Sequence, residues 1–461
     1  MSVSVNSSMA ANHDMPFFLV KKDAILVKPS SATPSDVLSL STIDNDYVFE
    51  QISQTIYVYQ ANTNHPNGAD SDPAHLIREA LSRVLFYYYP LAGKLKRQSD
   101  GTLRIKCNAD GVPFLEATAN CQLSSLGYFD GIDTKTAKQF LFYPETDSDD
   151  GYHPLALQVT KFSCGGFTIG MGLSHSVCDG TGAAQFFRAM AELASGKTEP
   201  SVKPVWERER LAGKPSGDPI TLLADAASMA ASPHWPTTDL VHGLFNITSD
   251  GLIKLKNSLM TEIENETLDE SFSFTTIEAL GAYVWRSRIR AFELNPDGKS
   301  IFHLAVGIRN ITNPPLPPGY YGNAFLSSPS VLPVKDLHEG PLSNVAKMIK
   351  ESKKRASNND YVVNTLSFLE TVRQQRMKIE GGAASTILTD WRRLGLLEEV
   401  DFGWKGAVNI VPVLLNIVAF VEVCILLPPC SLDPAAKGGL RLLVSLPRAA
   451  MAKFEEEMNA L

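Results

Sequence analysis

The chain has 461 residues, of which 44% are hydrophobic and 20% are charged, a composition typical of a globular protein with more than one core. Its formal net charge of −8 argues against a nucleic-acid partner, because phosphate-backbone binding relies on an excess of Lys and Arg. The six cysteines show neither a disulfide framework nor metal-site spacing, so we expect reduced thiols.

In chain order, the pattern of the first half predicts a mixture of helices and strands. Apolar periodicity and turn signals indicate a helix over 72–90, a hairpin over 94–107, two strands over 154–175 and a helix over 183–196. His175 falls directly after the second of the two strands, which has the continuous apolar pattern of a buried strand. We therefore expect this histidine at the edge of a sheet.

Residues 197–225 are rich in proline and charge and predict a linker. They divide the chain into a first domain of residues 1–196 and a second domain of residues 226–461. The second half predicts helices over 251–259, 275–292 and 448–459 and strands over 302–309 and 440–447. Strands and helices mix without strict alternation, which favours two α/β domains with mixed sheets over a doubly wound nucleotide fold.

No membrane span or targeting segment is expected. The start of the chain, "MSVSVNSSMAANHD", lacks the basic and apolar regions of a signal peptide, so we expect a cytoplasmic protein. An apolar run over 407–429, "AVNIVPVLLNIVAFVEVCILLPP", is long enough to cross a bilayer, but Asn, Pro and Glu residues interrupt it. Its Val and Ile content favours buried strands.

The stretch "GLSHSVCDGTG" over 172–182 places His175 and Asp179 four positions apart in a glycine-flanked turn. A zinc site would need further His or Cys ligands at the right spacing, and none follow. The stretch also fails the last position of the serine-hydrolase elbow and the dinucleotide-binding fingerprint. A buried histidine without a chemical role, and a base that takes a proton from a hydroxyl or amine, both remain open.

Two neighbours of His175 leave alternatives as well. Asp179 could orient the imidazole, or it could turn away and pin the loop to a cation. Cys178 could act as a nucleophile, although buried free thiols are usually inert.

Four further stretches accompany "SHSVCDG" in a fixed order: "YYYPLAGKL" (87–95), "TTIEALGAYVWRSR" (275–288), "VGIRNITNPPLPPGYYGNAF" (306–325) and "VDFGWKG" (400–406). Together they resemble the plant BAHD family of coenzyme A-dependent acyltransferases over essentially the whole chain. Within that family, "HSVCDGTGAAQFF" and "KPVWERE" are most similar to the branch that acylates bulky alcohols such as taxane-type terpenoids.

The resemblance implies two chloramphenicol-acetyltransferase-like domains with mixed sheets and a channel at their interface. It also implies a monomer that uses acyl-CoA as a co-substrate, takes a small-molecule acceptor and needs neither a metal nor a tightly bound cofactor. His175 corresponds to the family's catalytic base. Asp179 corresponds to an aspartate that points away from the channel and pairs with an arginine, here Arg309.

Other family positions are carried over residue by residue. Thr389 and Trp391 match channel residues near the base, where an indole N–H could donate to an oxyanion or simply pack. The lysines at the coenzyme A positions could equally form a solvated helix face. The positions that match coenzyme A contacts are Lys254, Lys256, Phe274, Thr275 and Thr276.

The "DFGWK" stretch matches a family motif that is thought to be structural. Its matching residues are Asp401, Phe402, Gly403 and Trp404, whereas Lys405 stands where the family has glycine. If that glycine needs a positive φ, Lys405 costs energy there, and we expect Gly406 to take the role with a shift of one residue.

The resemblance therefore predicts an O-acyltransferase that acts on a hydroxyl of a specialised plant metabolite, with His175 as general base. One alternative is an N-acyltransferase that acts on an amine or polyamine, which acidic residues along the acceptor channel would favour. The other alternative is a relative that binds its ligand without turnover.

Overall fold

The structure, a computed structural model, describes residues 17–62, 72–144, 149–216, 225–264, 271–377, 382–397, 400–413 and 422–461. Its strands are β1 (Leu19–Lys21), β2 (Ile25–Val27), β3 (Val37–Ser39), β4 (Ile52–Tyr59), β5 (Lys94–Arg97), β6 (Leu103–Lys106), β7 (Val112–Ala119), β8 (Leu155–Phe162), β9 (Phe167–Ser174), β10 (Leu240–Ile247), β11 (Lys299–Gly307), β12 (Phe325–Pro333), β13 (Ser385–Asp390), β14 (Asn409–Val413), β15 (Glu422–Leu427) and β16 (Leu440–Pro447). Its α-helices are α1 (Pro73–Tyr87), α2 (Thr134–Ala137), α3 (Gly180–Ala194), α4 (Ser249–Thr261), α5 (Thr276–Ala291), α6 (Val334–Glu339), α7 (Leu342–Ala356), α8 (Asn359–Gln374) and α9 (Arg448–Asn459).

The strands form two large mixed sheets and one small sheet. The first sheet has the order β1-β7-β8-β9-β4-β14, with β2 also paired to β7, and β7 runs parallel to β8. The second sheet has the order β10-β16-β15-β13-β11-β12, and β13 runs parallel to both β11 and β15. The small sheet has the order β3-β6-β5. This architecture confirms the predicted mixed α/β fold class.

The first core fixes the turn that carries His175. All eight residues of β9 are buried, as expected for a strand in the middle of a sheet. Helices α1 and α3 pack against each other and against the same core. Asp72 caps α1 by accepting a hydrogen bond from the N–H of Ala74, and Gly196 follows α3 with a φ of +97°. His175 therefore lies between a rigid strand and a packed helix.

In the second core, the described helices α5, α7 and α9 pack together on one face of the second sheet. Helix α5 packs against α7 and α9, and its Trp285 stacks on Phe302 of β11. Phe302 and Leu304 of β11 point into this core. Because side chains alternate along a strand, His303 and Ala305 face the other side, away from the helices.

The strand pairing adds a connection between the two halves of the chain. β14, which lies within the predicted second domain, pairs with β4 in the first sheet. The apolar run over 407–429 thus contains two strands, β14 and β15, while its residues 414–421 lie outside the described part. No helix in the described ranges is long and apolar enough to cross a membrane.

The division at residues 197–225 stays a prediction, and residues 217–224 of the linker lie outside the described part. The described part of the linker is not a simple solvated tether. It contains a short 3-10 helix, Arg208–Leu211, whose Arg208 is 2% exposed.

Candidate active site

His175 is held by its main chain. Its N–H donates to the carbonyl of Gln51 at 2.8 Å, and the hydroxyl of Ser176 donates to the carbonyl of Phe49 at 3.0 Å. At the other end of the loop, a Cβ added at Gly182 would lie 2.6 Å from Cβ of Cys178. The first turn of α3 can therefore pack this closely against Cys178 only because residue 182 is glycine. The loop has little freedom to move the imidazole.

The imidazole of His175 lies between two phenylalanine rings. Phe49 stacks on it with 5.0 Å between ring centroids, and Phe325 meets it at 6.0 Å with its plane tilted by 60°. Burial lowers the pKa of His175 below its ordinary value of 6.5, and its own main chain and the charge of Asp179 offset this only in part. The residue as a whole is half-buried, and its Nδ1 is buried. His175 is therefore neutral at pH 7 and can accept a proton.

Asp179 pairs with Arg309 from the second domain. The guanidinium donates to both carboxylate oxygens, at 2.7 and 2.9 Å, and the N–H groups of Gly182 and Ala324 donate at 2.9 and 3.0 Å. Burial alone would raise the pKa of Asp179, but Arg309 and the two N–H groups hold it below its ordinary value. Asp179 has four donors, and none of them is His175, so the geometry favours the predicted brace over an orienting role.

A second buried ion pair supports the same loop and was missed in the sequence. Asp44 is 0% exposed and pairs with Arg208 of the predicted linker. The guanidinium of Arg208 also donates to the carbonyl of Val177 at 2.8 Å. Asn323 donates to Asp44 at 2.8 Å and to the carbonyl of His175 at 2.6 Å. Two charged networks therefore hold the loop, one on each side.

Cys178 does not have the properties of a nucleophile. Its side chain is 3% exposed, and its thiol donates to the hydroxyl of Tyr321 at 3.3 Å. Burial raises the pKa of Cys178 to about 12. The thiolate is the reactive form of cysteine, and it is not populated at pH 7 under these conditions.

Thr389 and Trp391 lie at the end of β13, in the second sheet. Leu388 points into the second core, so Thr389 faces the opposite side, as His303 does on the neighbouring strand. The N–H of Trp391 donates to the carbonyl of Leu426 at 2.8 Å, and the indole packs partly against the first core. Both side chains are half-buried. These positions suit residues that line the junction between the two sheets.

The predicted coenzyme A residues do not share one environment. Lys254 is exposed and Lys256 is half-buried on α4, and neither forms an ion pair with a described residue. Phe274 is 4% exposed, and its ring packs in the second core, so its role as a coenzyme A contact stays a prediction.

Thr275 and Thr276 remain accessible at the start of α5. The N–H of Thr275 donates to the carboxylate of Glu278 at 2.9 Å. Two lysines of α7 lie beside this helix start and were missed in the sequence. Lys350 and Lys353 both pair with the buried carboxylate of Glu278.

The "DFGWK" stretch packs against the first sheet, far from His175. Trp404 meets Phe167 edge-on at 5.0 Å, and Phe402 meets Tyr59 at 5.9 Å. Tyr59 and Phe167 are paired at one end of β4 and β9, and His175 follows the other end of β9. The length of these strands, about 23 Å, therefore separates the motif from His175. The N–H of Gly403 donates to Asp401 at 2.7 Å, which closes the turn. The contacts are those of a packing motif.

Lys405 corrects the expectation about the missing glycine. Its φ is +65°, so the left-handed conformation stays at Lys405 and does not move to Gly406, which is absent from the described positive-φ residues. The Lys405 side chain is exposed. A lysine in this conformation carries strain that glycine would not.

No cluster of three or more His, Cys, Asp or Glu side chains in the described ranges could hold a metal ion. The loop presents the neutral imidazole of His175 between the rings of Phe49 and Phe325, and two ion pairs hold its main chain.

Comparison with known proteins agrees with this geometry. The chain matches the Transferase family over residues 19–461. It is 45% identical to spermidine coumaroyl-CoA acyltransferase of Arabidopsis thaliana, across 97% of this chain and 96% of the relative. It is 44% identical to spermidine sinapoyl-CoA acyltransferase of the same plant, across 100% of both. Taxadien-5-alpha-ol O-acetyltransferase of Taxus chinensis is 35% identical across 95% of this chain and 96% of the relative.

Solved structures show the same fold. Vinorine synthase superposes with a TM-score of 0.73 over 96% of this chain and 98% of its own, at 22% identity. TRI101 of F. sporotrichioides, complexed with coenzyme A and T-2, superposes with a TM-score of 0.68 over 91% of this chain and 97% of its own, at 17% identity. The fold is thus the two-domain, chloramphenicol-acetyltransferase-like architecture, and the chain belongs to the BAHD family of coenzyme A-dependent acyltransferases.

Proposed function

We propose that this protein is an N-acyltransferase that moves an acyl group from a coenzyme A thioester to an amine of a polyamine of the spermidine class. The observation that carries the proposal is the 45% and 44% identity, over nearly the whole chain, to two enzymes named for spermidine. The Taxus O-acetyltransferase is less similar, at 35%. The predicted terpenoid alcohol acceptor therefore gives way to the polyamine alternative.

His175 acts as the general base in this proposal. A nitrogen of the acceptor attacks the thioester carbonyl carbon while the neutral imidazole takes a proton from that nitrogen. The tetrahedral intermediate then collapses, the C–S bond breaks, and the imidazolium returns the proton to the coenzyme A sulfur. The rings of Phe49 and Phe325 favour the neutral forms of both imidazole and amine, because an apolar site disfavours charge on either.

An unpaired carboxylate near the base supports an amine acceptor. Asp46 begins the short 3-10 helix Tyr47–Phe49, whose last residue stacks on His175. Its carboxylate is half-buried, accepts from the N–H of Val48 at 3.0 Å and forms no ion pair with a described residue. Burial raises the pKa of Asp46. The charge of Arg97 offsets this rise only in part, so an ammonium group of a bound polyamine would stabilise the carboxylate further.

A buried polar atom beside the base supports a polar ligand as well. Oε1 of Gln51 has no hydrogen-bond partner among the described residues, whereas the side chain of Asn323 hydrogen-bonds to the imidazole of His175 and raises its pKa. Such unpaired atoms are rare in folded proteins unless water or a ligand satisfies them.

The remaining predicted site residues take two roles in this proposal. Trp391 and Thr389 supply the donors that would stabilise the oxyanion. Lys254, Lys256 and the start of α5 supply positive charge and N–H groups for the coenzyme A phosphates.

The test measures coenzyme A release and amide formation by the purified full chain with coumaroyl-CoA and spermidine. His175→Ala should lower kcat by about 10²–10⁴-fold, the usual contribution of a general base. His338→Ala is the matched control, because this histidine is exposed on α6. Wild-type turnover in a folded His175→Ala protein would contradict the assigned base, and absence of any amide with the wild-type protein would contradict the proposed acceptor.

A further inference from the structure

A second histidine on the junction side of the second sheet has no role in the proposed mechanism. The side chain of His303 on β11 makes one hydrogen bond among the described residues, between Nδ1 and the hydroxyl of Ser327 on β12 at 2.7 Å. The imidazole is densely surrounded by protein but keeps a partly exposed surface, and Ser327 is exposed. A ligand can therefore reach the pair on the face of β11 and β12 that points away from the second core.

Strand register places this pair on the same face as the ring that contacts the base. Phe325 is paired with Gly307, Ser327 with Ala305, and Pro329 with His303. Paired residues of antiparallel strands point to the same side, so Phe325, Ser327 and His303 share one face. Ser327 is two residues from Phe325, or about 7 Å along the strand. A ligand that extends from His175 along this face would next meet Ser327 and His303.

The chemistry of the pair suits a positively charged group. Burial lowers the pKa of His303 to about 4, and no charged neighbour contributes to this shift. The ring is therefore neutral at pH 7 and does not repel a cation. When Nδ1–H donates to Ser327, Nε2 is left as an acceptor. A hydrogen bond from an ammonium to a neutral acceptor is stronger than one between neutral groups.

We infer that His303 and Ser327 form a second acceptor subsite, in which Nε2 of His303 accepts a hydrogen bond from one ammonium of a polyamine while another nitrogen of the same molecule lies at His175. This inference rests on the proposed function and adds to it the group that recognises the distal amine. Ser327 is a positioning residue, because the hydrogen bond between its hydroxyl and Nδ1 of His303 holds the orientation of the imidazole.

Two substitutions separate ligand contact from packing. In His303→Asn the side-chain amide reaches the position of Nδ1 and can keep the bond to Ser327, but nothing occupies the position of Nε2. In His303→Gln the amide reaches the position of Nε2. His338→Asn is the control on an exposed histidine. The readout is the ratio of kcat/KM for spermidine to kcat/KM for butylamine, which has one amine, with coumaroyl-CoA as donor.

We expect His303→Asn to lower this ratio about tenfold, the range of a hydrogen bond to a charged group, and His303→Gln to restore most of it. An unchanged ratio in His303→Asn, with spermidine still acylated by the wild-type protein, would overturn the subsite and leave the proposed function standing. Isothermal titration calorimetry of spermidine binding separates the opposite case. If the affinity for spermidine depends on His303 but no amide is formed, the subsite is supported and the proposed function is contradicted.

Discussion

Removal of either partner of the Asp179–Arg309 pair should destabilise the protein, beyond any effect on catalysis. Asp179→Asn keeps the shape of the side chain but removes the charge that faces the guanidinium, and its single amide oxygen can accept from only one of the two N–H groups, Gly182 or Ala324. Arg309→Met keeps much of the apolar stem but leaves a carboxylate that is 6% exposed without its cation. Both changes test whether Asp179 holds the loop.

The magnitude follows from the burial of this pair. Breaking a buried ion pair by removing one partner costs about 3–5 kcal/mol, because the remaining charge is desolvated and unpaired. For a domain of about 200 residues this corresponds to a fall in Tm of roughly 10 °C. The double variant Asp179→Asn with Arg309→Met should lose less than the sum of the two single variants, because each change removes the same interaction.

Thermal unfolding of the three variants, followed by circular dichroism, measures these effects. The pH dependence gives an independent check. The folded pKa of Asp179 lies below its ordinary value of 3.8, so its stabilisation is present above that value and is lost as the pH falls through the lowered pKa. The Tm gap between wild type and Asp179→Asn should narrow under acid conditions. Normal Tm values with a large loss of kcat would refute the brace and favour an orienting role.

Three further predictions concern other positions. Arg208→Met should lower Tm by an amount similar to that of Arg309→Met, because Asp44 loses its cation. It should also lower kcat, because the loop loses its contact at the carbonyl of Val177. Melting curves measure the first effect, and single-turnover kinetics measure the second. Lys405→Gly should raise Tm by a few degrees without changing KM for acyl-CoA, because it relieves about 1 kcal/mol of strain at a φ of +65°. As the pH is lowered from 6.5 to about 4, the Tm of the wild-type protein should fall further than the Tm of His303→Asn. In this range the unfolded chain binds a proton at His303, whereas the folded chain binds it only near pH 4, so protonation favours the unfolded state of the wild type.

Local patterns in the sequence predicted the elements that depend on neighbouring residues. Helices α1, α3 and α9, the β5–β6 hairpin and the position of His175 after β9 follow from apolar periodicity and from turn residues. These signals depend on residues a few positions apart. The pairing of Asp179 with Arg309, 130 residues away, came instead from the family resemblance.

The contacts that hold the site could not be predicted from local patterns because they join distant segments. Asp44 binds Arg208 at a separation of 164 residues and Asn323 at 279. Arg208 lies in a stretch whose charge and proline content are typical of a linker, and only the fold reveals that it is buried. The pairing of β14 with β4 is equally nonlocal. A positive φ at Lys405 depends on how the turn packs on Phe167, which composition does not report.

A competition experiment tests the central claim most directly. The full chain is given coumaroyl-CoA with equal concentrations of spermidine and taxadien-5-alpha-ol, and the products are identified by mass spectrometry. An N-acyltransferase of the polyamine class predicts amides of spermidine, formed only when His175 is intact. An ester of the alcohol as the main product, with spermidine unmodified, would contradict the account.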